Sequence, residues 1–399
     1  MGKDFHIYCQ VPFCHKRCLF CCYMTNFLEH EIRNFSMIPA YINALIREID
    51  VSDVSLEPVL SIVFGGGTPT VLSDSEISKI INHIARKYPL RASENFIMSF
   101  ETTPELSTLK NLDGFTKNGF NRVSIGAQAF FGEDLRLLGR RSRDIDILNS
   151  YENARKAGFD NINIDLMFGF PGQTFKRWRD TISEVIKLSP ESVSINPFIT
   201  WQRKPNIYTE KMEKTGFSEP VFEERVEMFR FAAERLMLVD YRRYMNFVFC
   251  KSGYEFSYIK DSFTLQNDTV AFGPGVKASQ GNETYLREFS ISTYIINSQL
   301  KRKVCVTNKK KVRFYLRDYL LSESMFSNSQ AFKIFKMPLK EALDEDKIAI
   351  GMVQNMVLLG YADLNSKGFF LKHSKLYEAL IYMMDYYNRS WSHIEYERN

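Results

Sequence analysis

The sequence predicts an α/β fold, a partial (βα)6 TIM-like barrel followed by a smaller C-terminal α+β, winged-helix-like domain. Three observations predict it. Six short apolar runs alternate with helix-patterned stretches over the first 245 residues, and such alternation builds a parallel sheet with right-handed crossovers. Gly65, Glu101, Gln128 and Asp165 fall at or just past the carboxyl ends of successive runs, the face on which barrel sites are built. After Tyr241 the alternation stops, which places a domain boundary near 245.

The strand candidates, in order, are FHIYCQV (5–11), LSIVFGG (60–66), FIMSFE (96–101), RVSIGAQ (122–128), NINIDLM (161–167) and SVSINPF (192–198). They are rich in β-branched and aromatic residues and too apolar for a half-exposed strand, so each reads as a buried parallel strand. Between them, AYINALIREI (40–49), SEISKIINHIARKY (75–88), DILNSYENARKAG (146–158) and FKRWRDTISEVIKL (175–188) repeat apolar residues three and four apart, the spacing of an amphipathic helix. A six-unit barrel also leaves a lateral opening that would admit a bulky substrate. The expected domains are therefore 1–245, the barrel, and 246–399, a substrate or lid domain. In the latter, GMVQNMVLLGYADLNSKGFFLKH reads as helix, turn and two short strands.

Composition excludes several classes. An apolar content of 45% and a charged content of 25% are those of an ordinary globular chain. The net charge of +5 is mild and scattered; the basic run Lys301–Arg313 reads as a solvated face, and no basic recognition helix marks the C-terminal part, so no nucleic-acid partner is expected. No window has the length of apolar residues that a membrane span needs, and MGKDFHIYCQ lacks a signal-peptide core. No membrane partner and a cytoplasmic location are expected.

Four of the seven cysteines lie within nine residues, in VPFCHKRCLFCCYM. Clustered cysteines in a cytosolic chain point to metal or catalysis rather than disulfides. Structural zinc takes a second pair of ligands, and no second pair follows. The spacing C-x3-C-x2-C of Cys14, Cys18 and Cys21 leaves one metal position without a protein ligand, and a [4Fe-4S] cluster held by three thiolates has one open iron. Cys22 adjoins Cys21 too closely for both to reach one cluster easily and is read as a bystander. Cys9, Cys250 and Cys305 read as inert small apolar residues.

CHKRCLFC after a first strand resembles the signature of the radical S-adenosylmethionine (SAM) superfamily, and its surroundings resemble the HemN-like branch. That branch includes oxygen-independent coproporphyrinogen III dehydrogenase, heme chaperones, class C radical SAM methylases and anaerobic heme-opening enzymes. The resemblance runs through IYCQVPFCHKRCLFC, GGGTPTVLS, FETTPE, NRVSIGAQAF, LGRR, NINIDLMFGFPGQT and AFGPGVKAS, in order, over most of residues 5–280. It implies a [4Fe-4S] cluster on Cys14, Cys18 and Cys21. It also implies a SAM pocket formed by Tyr8, by Gly65, Gly66, Gly67 and Thr68, and by Glu101, Gln128, Arg140 and Asp165. The residue types suit such a ligand, since glycines let a backbone approach it, Arg140 can grip a carboxylate with two parallel hydrogen bonds, and acidic groups suit ribose hydroxyls.

Departures from the branch set the expected reaction. Gln10 stands where the pattern Y-x-H-x-P carries histidine, and glutamine does not titrate near neutral pH. Tyr23 stands where the dehydrogenases carry a further cysteine, and YIKDSFTLQNDTVAFGPG lacks the histidine, asparagine, tyrosine and tryptophan of the chaperones. The leading expectation is a class C type enzyme that uses two SAM molecules to transfer a methyl or methylene group to an unsaturated carbon, by methylation or cyclopropanation. Porphyrin or heme chemistry, and a non-catalytic heme carrier, are the alternatives. The implied partners are a small conjugated or aromatic substrate and a low-potential electron donor such as flavodoxin or ferredoxin.

Overall fold

The computed structural model describes residues 4–21, 29–52, 57–91, 96–198, 216–245, 247–264, 267–280, 283–287, 289–299, 301–303, 312, 316, 320 and 324–391. The chain divides into two units. Unit 1 comprises Met1–Leu166, Ser183–Ser194 and Gly253–Cys305, and unit 2 comprises Met167–Ile182, Ile195–Ser252 and Val306–Asn399.

Unit 1 is built on parallel strands. β1 (Phe5–Val11), β2 (Val59–Gly66), β3 (Ile97–Thr102), β4 (Arg122–Gln128), β5 (Asn161–Phe168) and the start of β6 (Ser192–Pro197) follow one another in the sheet. The crossover helices are α2 (Ile38–Val51), after the short α1 (Glu29–Ile32), then α3 (Asp74–Lys87), α4 (Leu109–Lys117), α5 (Gly132–Leu137) and α6 (Asp144–Lys156); α7 (Phe175–Leu188) falls in unit 2 as far as Ile182 and in unit 1 from Ser183. The α/β class and the parallel sheet expected from sequence are observed.

Strand alternation sorts β1 into two faces. Phe5, Ile7, Cys9 and Val11 are almost wholly buried, and α2 buries Tyr41, Ile42, Leu45 and Ile49 at helical spacing. A second apolar centre joins Phe64 of β2, Phe100 of β3, Phe115 of α4, Phe120 and Phe159, with Phe100 stacked on Phe115 at 3.8 Å. Each such ring contributes roughly 2–3 kcal/mol by leaving water.

The other face is polar. His6 of β1 touches Ser61 of β2 at 2.8 Å, Arg122 donates to Ser99 at 3.0 Å, and Asn163 donates to Ser124 at 2.8 Å. The registers His6↔Ser61, Ser99↔Arg122 and Ser124↔Asn163 set these residues side by side on β1–β2, β3–β4 and β4–β5.

The sheet continues past β1. β9 (Asp268–Phe272) pairs parallel with β1 from Phe5↔Asp268 to Cys9↔Phe272, and β10 (Lys277–Gln280), β11 (Glu283–Arg287) and β12 (Lys301–Lys303) follow antiparallel. The physical reason is that β1 has a free row of backbone groups, and the apolar run DTVAF satisfies it. Ahead of β9, α9 (Ser257–Thr264) carries Asp261 to His6 at 2.9 Å, and Tyr258 stacks parallel to Tyr8 at 6.2 Å. Gly253–Cys305 thus belongs to unit 1, although the pattern change near 245 suggested a single division there. The helix α10 (Ile291–Ile296) closes the unit, its N-terminal amides held by Glu31.

In unit 2, α8 (Phe222–Met237) precedes the hairpin β7 (Arg242–Met245) and β8 (Val248–Cys250). A three-stranded sheet of β13 (Met325–Ser327), β15 (Gly368–Leu371) and β14 (Ala362–Asn365) packs with α11 (Asn328–Phe335), α12 (Leu339–Asp344), α13 (Lys347–Leu358) and α14 (Leu376–Trp391). The expected helix, turn and two strands are α13, β14 and β15, a winged-helix-like unit. Arg225 of α8 is anchored through Nη1 by both carboxylate oxygens of Asp385, at 2.7 and 2.8 Å. Among the described residues no helix is long and apolar enough to cross a membrane.

Candidate active site

The cysteine loop leaves β1 and is held from three sides. Gly67 and Thr68, just past β2, donate their amides to the carbonyls of Val11 and Phe13 at 2.8 and 2.9 Å. The Cys14 amide donates to Ile32 of α1 at 3.0 Å, and the Leu19 amide to Leu138 after α5 at 3.2 Å. The glycines are required by contact: a Cβ on Gly67 would lie 2.4 Å from the Val11 carbonyl oxygen, and one on Gly139 2.5 Å from Leu19 Cγ. GGGTP and LGRR therefore clamp the loop as well as lining the site.

Cys14, Cys18 and Cys21 are half-buried. Cys14 Sγ is 3.3 Å from Thr68 Oγ1. Burial pushes the Cys14 thiol up to about 12, and Cys21 and Cys18 push the same way, while the Thr68 contact and Arg140 oppose them. Among the described residues no three His, Cys, Asp or Glu side chains converge as ligands of one ion. Three thiols on one loop with no second ligand pair suit a [4Fe-4S] cluster with one open iron better than structural zinc. Cys22 lies outside the described residues.

The carboxyl ends of β3, β4 and β5 bring the other expected residues together. Glu101 accepts from the Gly66 amide at 3.1 Å. Glu101 is solvent-accessible although protein atoms crowd it, and this crowding, with the Asp165 charge, pushes its carboxyl up to about 7 against the Gly66 hydrogen bond and Arg122. Asp165 accepts from Ser124 at 2.6 Å and from Asn163 at 3.0 Å. Gln128 ends β4 at φ 68° beside a register irregularity; a non-glycine residue held there stores about 1 kcal/mol or more of strain. Gly126 makes room for its neighbours, since a Cβ would lie 3.0 Å from both Arg140 Nη2 and Gln128 Nε2. Arg140 Nη2 donates to the Gly126 carbonyl at 2.8 Å, whereas its buried Nε has no hydrogen-bond partner among the described residues.

An orphaned guanidinium donor, a glutamine on a strained backbone and a glycine turn around a carboxylate fit a zwitterionic nucleoside ligand such as SAM. Tyr8, also expected here, donates to Gln10 Oε1 at 3.0 Å. Sequence reasoning gave Gln10 no place beyond a departure from pattern. It proves to lie between two glycines, with a Cβ on Gly66 falling 2.1 Å from Gln10 Nε2 and one on Gly273 falling 2.7 Å from Gln10 Cβ. The period-two placement of Tyr8 and Gln10 on β1 was the available signal.

A parallel sheet with a three-cysteine loop after β1 and this polar rim defines a radical SAM enzyme, and residues 9–185 match the radical SAM superfamily. The chain is 30% identical over 274 residues to the heme chaperone HemW of Bacillus subtilis (strain 168), covering 68% of this chain and 69% of that one. It is 24% identical over 387 residues to the oxygen-independent coproporphyrinogen III oxidase of Synechocystis sp. (strain ATCC 27184 / PCC 6803 / Kazusa), covering 94% and 78%. Its fold is similar to that of coproporphyrinogen III oxidase (HemN) from Escherichia coli, with a TM-score of 0.78 at 22% identity over 97% of this chain and 91% of that one. The chain belongs to the HemN-like radical SAM family, whose members use a [4Fe-4S] cluster and SAM.

Proposed function

We propose that this enzyme acts on a tetrapyrrole. The observation that carries the reading is that the relatives are named for tetrapyrroles, a coproporphyrinogen oxidase matched over 94% of this chain and a heme chaperone at 30% identity. Methyl or methylene transfer with a second SAM, the leading expectation from sequence, gains no support from these relatives and gives way to porphyrin chemistry. Binding of heme without turnover is the second reading, favoured by the likeness to HemW.

In this reading Cys14, Cys18 and Cys21 hold the cluster. A cluster held there would supply the low-potential electron for reductive cleavage of SAM. The chain's residues bind and orient. Gly65, Gly66, Gly67 and Thr68 would present backbone groups to the methionine amino group, and Arg140 would offer its unpartnered Nε to the carboxylate. Glu101 and Asp165 accept from ribose hydroxyls, Gln128 fixes the nucleoside, and Tyr8 walls the pocket beside Tyr258.

The test is anaerobic incubation of reconstituted protein with SAM, reductant and either coproporphyrinogen III or heme, followed by mass spectrometry of the tetrapyrrole. A product altered in mass supports the reading. Heme recovered unchanged in a stoichiometric complex would favour the carrier, and no interaction with either compound would remove the tetrapyrrole assignment.

A further inference from the structure

Glu48 of α2 is 1% exposed in the core of unit 1. Its Oε2 accepts from the Gly273 amide at 2.9 Å and from the Tyr294 hydroxyl at 2.6 Å, and its Oε1 pairs with Arg287 Nε at 2.7 Å. Gly273 opens the glycine-proline-glycine turn after β9, at φ 108°. On its other side that glycine meets Gln10, whose own carbonyl accepts from the Tyr41 hydroxyl of α2. Gln10 in turn fills the space that Gly66 leaves and receives the Tyr8 hydroxyl. One helix thus holds both partners of a contact that abuts the glycine turn of the pocket.

A buried carboxylate is costly unless its hydrogen bonds are met, and a site this close to the GGGTP turn could be built more simply from apolar residues. The arrangement has a geometric consequence. Without an acceptor at Glu48 the Gly273 amide would be left unmet, and the turn could move off Gln10. Gln10 would then no longer be confined against Gly66, nor Tyr8 against Gln10.

We propose that Glu48 is a positioning residue for the SAM pocket, holding the Gly273 turn against Gln10 and so fixing Gln10 and Tyr8 beside Gly66. The inference rests on the proposed placement of SAM at Gly65–Gly67.

The test is equilibrium binding of radiolabelled SAM to anaerobically reconstituted protein, with iron content and thermal midpoint measured on each variant. Glu48→Ala removes the acceptor for Gly273 and the pair with Arg287; Glu48→Gln keeps an oxygen acceptor; Arg287→Gln removes the pair alone. All three are expected to lower the thermal midpoint while retaining iron. SAM binding is expected to weaken about fivefold in Glu48→Ala, the scale of one hydrogen bond, and to stay within about twofold in the other two. Weakening that instead follows the midpoints across all three variants would make Glu48 merely structural and overturn the inference. Glu101→Ala, which removes the acceptor altogether, reports the pocket separately. Unchanged SAM binding there overturns the placement of SAM, whereas weakened binding there beside unchanged binding in Glu48→Ala overturns the role of Glu48 alone.

Discussion

Thr68 Oγ1 lies 3.3 Å from Cys14 Sγ, joining the glycine turn after β2 to the cysteine loop after β1. With the amides of Gly67 and Thr68 on the Val11 and Phe13 carbonyls, this makes the loop and the turn one rigid piece. Ligands for a metal cluster need that pre-positioning, because each thiolate must otherwise be ordered at the moment of binding.

The three cysteines are expected to act together. Replacing Cys14, Cys18 and Cys21 by Ala removes the iron, the brown colour and all SAM cleavage, as read by iron analysis and chromatography of 5′-deoxyadenosine. Cys22→Ala keeps all three. Loss of iron in Cys22→Ala would mean that the ligand set is wrongly chosen.

Gly67→Ala and Gly158→Ala separate contact from strain. Gly158 has φ 92° and nothing within 4 Å of a Cβ, so its substitution is expected to cost about 1 kcal/mol from backbone strain. At Gly67 the new Cβ meets two backbone carbonyls, which cannot rotate away. A loss of about 2–3 kcal/mol is expected there, with reduced iron loading, by denaturant titration of the reconstituted protein.

Glu101 makes stability depend on pH. Its carboxyl holds its proton more tightly in the fold, at about 7, than its ordinary value of 4.5. Its contribution is therefore full below about pH 4.5 and is lost as pH rises through about 7. The difference in thermal midpoint between Glu101→Gln and the parent is expected to shift in favour of the variant as pH goes from about 5 to about 8, the window that linkage sets. A difference independent of pH would refute the raised carboxyl.

Gln128→Gly replaces a residue held in a strained backbone conformation by one free to take φ 68°. The relieved strain and the added chain entropy nearly offset, so stability is expected to change by less than about 1 kcal/mol. SAM binding is expected to weaken, because the amide is removed from the pocket. Unaltered binding would leave Gln128 without a role in the site.

Much of this was legible in local pattern. The run FHIYCQV is β1, RVSIGAQ is β4, and FKRWRDTISEVIKL is α7, residue for residue. Apolar runs that must be buried on both faces leave little ambiguity of type. The cysteine spacing and the polar residues at strand ends were equally plain, since they interrupt an apolar pattern for no local reason. The place of β9 was not legible, because DTVAF is short and its partner β1 lies more than 250 residues away. Nor was the confinement of Gln10 between Gly66 and Gly273, or its support by Glu48. Those contacts depend on which strand fills the edge of β1, and no periodicity within either segment encodes it. The reaction was hardest to read, since the residues missing from the oxidase and chaperone patterns pointed away from both, although a heme chaperone matches 68% of this chain and a coproporphyrinogen oxidase 94%.

The most direct measurement is the joint quantification of 5′-deoxyadenosine and S-adenosylhomocysteine, formed anaerobically by the reconstituted protein with SAM, reductant and a tetrapyrrole. Radical chemistry on a tetrapyrrole predicts 5′-deoxyadenosine that depends on the tetrapyrrole and is not matched by S-adenosylhomocysteine. Equal amounts of both products, or no tetrapyrrole-dependent 5′-deoxyadenosine, would contradict it.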